Sequence, residues 1–395
     1  MLLGFSRQRT AIAAIGLLAM ALVVTPGPIA AAGSLASADQ LYVTNGALDE
    51  PAAAPNVGRF TIDAAGRVAP AGTALASRDA RGIVFTPKPD AAGRRFAYVS
   101  SLGAGLDEFG GIDRYQVAAN GALTYRDTTP TSQPFGIAIS PNGRTIYVAN
   151  FDFEAETGSI SAFHVGAAGA LTPLGEPKPS GTAHPKGIAV TPDGRFLYVG
   201  SGTPLDPAPA MLTGFRIGTD GSVQNAVSQA NIGATGHRVV ITPDGRFVYA
   251  TSQDQRDAPD VFGFQIDSYG GLTPVPGKPS DAGRWVEGAA VSPDGRRLYV
   301  TALHEVGEPQ ADGQIRAFAI GADGRLTEIA HIDSGRDPVD LAFGLSGQRL
   351  YVSDFADSNV TVFSLDQSGS LTPIQTLGSQ GSNPGFQSVA VQAGR

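Results

Sequence analysis

The sequence predicts an all-β fold, a seven-bladed β-propeller of four-stranded antiparallel blades, closed by a C-terminal strand that pairs with the N-terminal blade. Three observations carry the prediction. First, one pattern recurs along the chain: Ile188-Ala-Val-Thr-Pro-Asp-Gly-Arg-Phe-Leu-Tyr-Val199 returns from Val239 to Ala250, from Ala289 to Val300 and, with Asn for Asp, from Ile137 to Val148. Second, a marker tyrosine falls at Tyr42, Tyr98, Tyr147, Tyr198, Tyr249, Tyr299 and Tyr351, which counts seven units of a size that repeat architectures use. Third, 51 Gly and 28 Pro in 395 residues form no low-complexity tract, so they punctuate many short elements.

The chain opens with Arg7 and Arg9, an uncharged apolar run from Ala11 to Val24, then Pro26 and Pro28. That is the layout of an export signal, too short to span a bilayer comfortably. Two small-x-small sites follow, Ala30-Ala31-Ala32 and Ala36-Ser37-Ala38. Cleavage after Ala38 is preferred, because strand-like sequence starts at once with Gln40-Leu41-Tyr42-Val43. Residues 1–38 are therefore read as a signal peptide and 39–395 as the propeller, a secreted or cell-envelope monomer with no membrane span once the signal is removed. The alternative is an uncleaved anchor.

Within each repeat an apolar inner strand (A) meets the Pro-Asp-Gly-Arg turn. Asp-Gly between apolar runs is a strong hairpin signal, expected to use positive φ. Strand B ends in Tyr-Val, a variable loop leads to strand C, and a second turn such as Thr219-Asp-Gly-Ser222 leads to strand D at Leu-Thr-Pro (Leu171, Leu272, Leu371). Strand A lacks polar alternation, which suits a sheet covered on both faces. The first repeat has no strand A before Gln40, and Phe386-Gln-Ser-Val-Ala-Val391 is a strand A with no B after it. Pairing the two removes an open edge.

The chain has no Cys, so disulfides, thiolate metal sites and thiol nucleophiles are excluded. Its formal charge of −8 argues against a nucleic-acid partner. The acids gather in the B-to-C loops, from Asp49 and Glu50 through Asp152, Glu154 and Glu156 to Asp354 and Asp357, with Arg256 as the base among them. This face suits a cation or cationic ligand, or simply solubility. No loop has calcium-hand spacing, and no metal or cofactor is expected.

One position can be followed around the ring. Six residues before the turn Pro or its equivalent stand Arg81, Phe135, Lys186, His237, Glu287, Val339 and Gln387. This position starts strand A at the rim of the axis. Lys186, His237 and Glu287 come from consecutive blades, with His184 and Arg238 beside them. Hydrolysis at a carbonyl needs a base for water and a cation for the developing oxyanion or a substrate anion. His237 or Glu287 could be the base, and Lys186, Arg238 and Arg81 the cations. Trp285 could be a stacking surface or a packing residue, and Gln387 lines the same opening. The competing reading is a polar, wet channel without catalysis.

These repeats resemble the seven-bladed lactonase-type propellers, the family of bacterial 6-phosphogluconolactonases and fungal carboxymuconate lactonizing enzymes. The likeness rests on His184-Pro185, the Ser/Thr-Pro-Asp-Gly-Arg-x-Leu-Tyr-Val hairpins and the Gly-x-Leu-Thr-Pro turns. They are also similar to Tyr-Val-Thr-Asn repeat propellers, through Tyr42-Val43-Thr44-Asn45. The resemblance implies a hydrolase acting on a small anionic lactone; the rim position itself offers His237 and Glu287 as catalytic residues and Arg81, Lys186, His184, Arg238, Trp285 and Gln387 as substrate-binding residues. Here Lys186 stands where that family usually has a second His. The alternative class is a non-catalytic extracellular or envelope module binding a protein, glycan or cation on the acidic loops.

Overall fold

The computed structural model describes residues 38–46, 54–103, 110–151, 158–202, 209–252, 260–277, 279–303 and 313–394. They form seven antiparallel sheets. Blade 1 joins the two ends of the ring, with Pro384–Gln392 innermost, then Asp39–Asn45, Asn56–Ile62 and Val68–Leu75. The inner strands of blades 2 to 7 are Ala80–Phe85, Pro134–Ile139, Gly187–Val190, Gly236–Ile241, Arg284–Val291 and Pro338–Phe343. Each lies against the next, and Pro384–Gln392 lies between the first and last, so the ring is closed. No helix among the described residues is long and apolar enough to cross a membrane.

The core is a ring too. Each of seven apolar clusters is shared by two adjacent blades: Leu41, Val43 and Phe60 of blade 1 pack on Tyr351 and Val360 of blade 7, and Tyr42 and Val57 pack on Ile83 and Tyr115 of blade 2. Apolar burial is the main favourable contribution to folding, so most of it here is gained between blades. This is why strand B is buried on both faces, as in Thr145–Asn150 and Phe247–Ser252.

The marker tyrosines add a polar latch. Tyr42 donates its hydroxyl to Gly121 O at 2.8 Å, Tyr98 to Gly169 O at 2.8 Å, Tyr147 to Gly221 O at 2.9 Å and Tyr198 to Gly270 O at 3.0 Å. Tyr249 and Tyr299 reach Gly324 O and Gly369 O, both at 2.7 Å. Each carbonyl belongs to the C-to-D turn of the next blade. Those turns carry positive-φ glycines, so two of the sequence motifs meet in one bond.

The A-to-B turns differ from expectation in one respect. Only the Gly takes positive φ, as at Gly194 (73°) and Gly245 (72°). Asp193 has no positive φ and works through its carboxylate, which accepts from the Thr191 hydroxyl at 2.6 Å and the Arg195 N–H at 3.0 Å. Asp244 does the same with Thr242 and Arg246. A side-chain cap therefore replaces the second left-handed residue.

Candidate active site at the axial rim

Six of the seven rim residues stand on an irregularity of strand A, and Lys186 directly precedes the regular strand Gly187–Val190. In blade 2, Ala80 faces Ser101 and Ile83 faces Val99, so Arg81 and Gly82 oppose one residue. In blade 5, His237 and Arg238 oppose Thr251 in the same way, and in blade 6 Glu287 and Gly288 oppose Thr301. Such a bulge re-aims a side chain, here into the axis. Two residues ahead of the rim position the backbone is left-handed at Asp79 (55°), Gln133 (33°), His184 (54°), Trp285 (53°) and Asp337 (54°). For non-glycine residues this is a strained state, found most often at functional sites.

Hydroxyls of strand B hold these bulges. Ser100 accepts from the Gly82 N–H at 3.0 Å and donates to Phe135 O of the next blade at 2.8 Å. Thr251 accepts from the Arg238 N–H at 2.9 Å and donates to Glu287 O at 3.0 Å. Thr44 donates to Arg81 O at 2.5 Å. In blades 1, 2 and 5 the residue two after the marker tyrosine thus fixes the rim residue of the next blade.

Blade 1 departs from the others. Asn45 faces Pro384 and Val43 faces Val389, so four residues oppose Thr44 where blades 2, 5 and 6 have two opposing one. The extra length carries Phe386 into the axis. Its ring stacks on Phe135 at 5.7 Å and on Phe355 at 6.4 Å and meets His237 edge-on at 5.3 Å. The Arg81 guanidinium lies 4.7 Å from the Phe386 centroid and 4.9 Å from that of Phe135. Lys186 Nζ lies 5.9 Å from Phe135 and 5.8 Å from Phe151, whose ring packs on His184 at 4.5 Å.

The charges are paired within the fold. Arg81 binds Asp79 through two nitrogens, at 2.6 and 2.8 Å. Arg238 stands 3.5 Å from Asp340, which is fully buried and also accepts the Val389 N–H at 2.9 Å. Burial raises the Asp340 carboxyl, and Arg238 opposes that rise. Burial also pushes Glu287 up and Lys186 down from their ordinary ranges, and each counters the shift of the other. Arg81 acts on both. His237 is held well below its ordinary value by burial, then by the charges of Lys186, Arg81 and Arg238.

A family model described as lactonase, 7-bladed beta-propeller matches residues 96–255 and 252–389. The chain belongs to this lactonase family. A 6-phosphogluconolactonase of an Enterobacter species is 27% identical over 243 residues, 59% of this chain and 65% of that protein. The Serratia proteamaculans 6-phosphogluconolactonase is 27% identical over 237 residues with the same coverage. The chain thus spans just under two thirds of the length of these relatives. The Pseudomonas aeruginosa periplasmic gluconolactonase matches in structure with a TM-score of 0.69 at 23% identity, over 91% of this chain and 100% of that one. A Lactobacillus plantarum protein matches at 0.66 and 20%, over 90% and 98%. At these identities the two structures share the fold.

In this lactonase propeller, Arg81, Lys186, His237 and Glu287 come together at the axis. Arg238 turns to the other side of its strand, toward Asp340. His184 and Trp285 occupy equivalent left-handed positions in blades 4 and 6, and Trp285 is half-buried on a bulge. Gln387 has both ends of its amide against backbone: Nε2 donates to Lys186 O and Oε1 accepts the Ile137 N–H, each at 3.4 Å. The His237 ring is buried edge-on against Phe135 and Phe386, so it also packs the rim.

Sequence reasoning missed Phe386, Phe151, Phe355, Asp79 and Asp340. Asp79 alone had a signal, its place two residues before a rim Arg. Most of the acidic loop face lies outside the described residues. Of its acids within them, Asp260 and Asp354 are buried and Asp357 pairs with Arg336 at 2.6 Å, so these three serve the fold. Among the described residues no group of three or more His, Asp or Glu converges as a metal would need.

Proposed function

We propose that this chain is an exported lactonase that hydrolyses a small anionic lactone at the axial rim. The observation that carries the reading is one buried cluster joining an uncharged imidazole, a carboxyl raised into the neutral range and two cations. Glu287 is the better base. A carboxyl raised toward neutrality matches proton abstraction from water near its own pKa, whereas His237 beside three cations is a weak base. Ionised Glu287 takes a proton as water adds to the lactone carbonyl. Lys186 and Arg81 hold the oxyanion and the substrate anion, and neutral His237 orients the water by a hydrogen bond. Collapse breaks the ring C–O bond, the alkoxide takes the proton back from Glu287, and a hydroxy acid leaves.

Export is part of the proposal. It is supported by the signal layout of residues 1–38 and by a first strand that starts at Asp39, directly after Ala38. A periplasmic gluconolactonase shares the fold, and gluconolactone is a reasonable first probe. N-terminal sequencing of exported material should begin near Asp39.

The test is acid release from a panel of neutral and anionic lactones, followed as a pH–rate profile. The Glu287–Lys186 pair titrates as a unit, and each group is moved to about 8. The rate should rise from pH 6 and peak close to 8, where ionised Glu287 and protonated Lys186 coexist. Glu287→Gln should lower turnover about 10²- to 10⁴-fold. A profile flat between pH 6 and 9, or activity that survives Glu287→Gln, would remove Glu287 from this role.

A further inference from the structure

We propose that Gln387 is a positioning residue for the rim cluster, reaching across the axis from blade 1 to hold the main chain of Lys186 where blade 3 lacks a hydroxyl. The inference rests on the rim being the working site. It starts from the bonds that set the rim carbonyls. Thr44 holds Arg81 O, Ser100 holds Phe135 O and Thr251 holds Glu287 O, each from two residues after the marker tyrosine of the preceding blade. The equivalent residue in blade 3 is Ala149, which follows Tyr147-Val148 and pairs with Gly136. It has no hydroxyl to offer Lys186 O. The Gln387 amide supplies the donor instead, at 3.4 Å, and its oxygen accepts from Ile137 of blade 3 at the same distance.

Two features of the fold make this reach possible. The longer bulge of the C-terminal strand pushes residue 387 toward the axis. The neighbouring blades then clear its path with glycine. A Cβ on Gly82 would stand 3.4 Å from Gln387 Oε1, and one on Gly136 would stand 3.2 Å from Nε2 and 2.0 Å from Lys186 O. The same C-terminal segment brings Phe386 against Phe135 and His237. Gln387 therefore fixes the start of strand A in blade 4, from which the Lys186 side chain enters the cluster with Arg81, His237 and Glu287 around it.

The experiment compares wild type, Gln387→Ala, Ala149→Ser and the double variant. The carbonyl ¹³C shift of Lys186 reads the bond itself. It should move on Gln387→Ala and return in the double variant, where the introduced hydroxyl takes the place that Ser100 holds one blade earlier. On a lactone that the wild type turns over, Gln387→Ala should raise KM roughly five-fold, the worth of one hydrogen bond, with kcat within about two-fold. The double variant should come back to within about two-fold of wild type. A Lys186 carbonyl indifferent to Gln387→Ala would overturn the proposal, as would a raised KM that adding Ala149→Ser does not restore. If no variant opens any lactone, the carbonyl shifts still decide the role of Gln387, and only the lactonase reading fails.

Discussion

At the scale of single residues, the rim is a set of buried charges kept in balance by their neighbours. Arg81 is matched by Asp79, Arg238 by Asp340 and Lys186 by Glu287. Burying an unpaired charge is costly, so each cation has its acid within the fold. His237 sits among cations and stays neutral. Its lowered pKa has a consequence for stability. In the unfolded chain the imidazole takes a proton near pH 6.5, while in the folded ring it does so only at lower pH. Folded stability from this group is therefore complete above pH 6.5 and is lost as pH falls below it. Thermal unfolding at pH 7.5 and 5.0 should show a drop for the wild type that is smaller in His237→Gln. An equal drop in both would mean that His237 is not the titrating group.

At the scale of elements, the blade-to-blade latch explains why the repeat keeps its tyrosine. Six marker hydroxyls donate to glycine carbonyls of the following blade, while among the described bonds Tyr351 makes none. Burial pushes the marker phenols up, to about 12 at Tyr42, Tyr147, Tyr299 and Tyr351, so they stay neutral at any physiological pH. Tyr249→Phe should cost about 1–2 kcal/mol in denaturant unfolding, because it leaves Gly324 O without its donor. Tyr351→Phe should cost distinctly less. Equal costs at the two positions would show that packing of the ring, and not the hydroxyl, is what the repeat preserves.

For the whole molecule, closure by Pro384–Gln392 is both a stability and a site device. The strand pairs with Asp39–Asn45, receives the Asp340 carboxylate at Val389 and sends Phe386 and Gln387 into the axis. Deleting residues 384–395 would strip blade 1 of its inner strand and expose the edge of Asp39–Asn45, with Leu41 and Val43 losing the cover of Val389. The truncated chain should lose cooperative unfolding or aggregate. A soluble, monomeric truncation with an unchanged melting temperature would contradict the closed ring.

The sequence by itself determined the number of blades, the strand order within them and the partner of the C-terminal strand. Each of these depends on local interactions that must be made again in every blade. A capped Ser/Thr-Pro-Asp/Asn-Gly turn in blades 3 to 6, a marker Tyr in every blade and a glycine at the C-to-D turn are spelled with nearly the same residues, so they appear as a period. The rim position was legible for the same reason, and it led to Arg81, Lys186, His237 and Glu287. The tertiary structure alone decided what these residues are. Whether Lys186 and His237 carry charge depends on burial and on charged groups from other blades, far away in the chain. Asp79, Asp340 and Phe386 joined the site through bulges, and a bulge leaves no residue type as its mark. Gln387 counted correctly as a rim residue. Its reach to Lys186 O follows from two extra residues in a strand that ends without a turn, where the repeat offers nothing to count against.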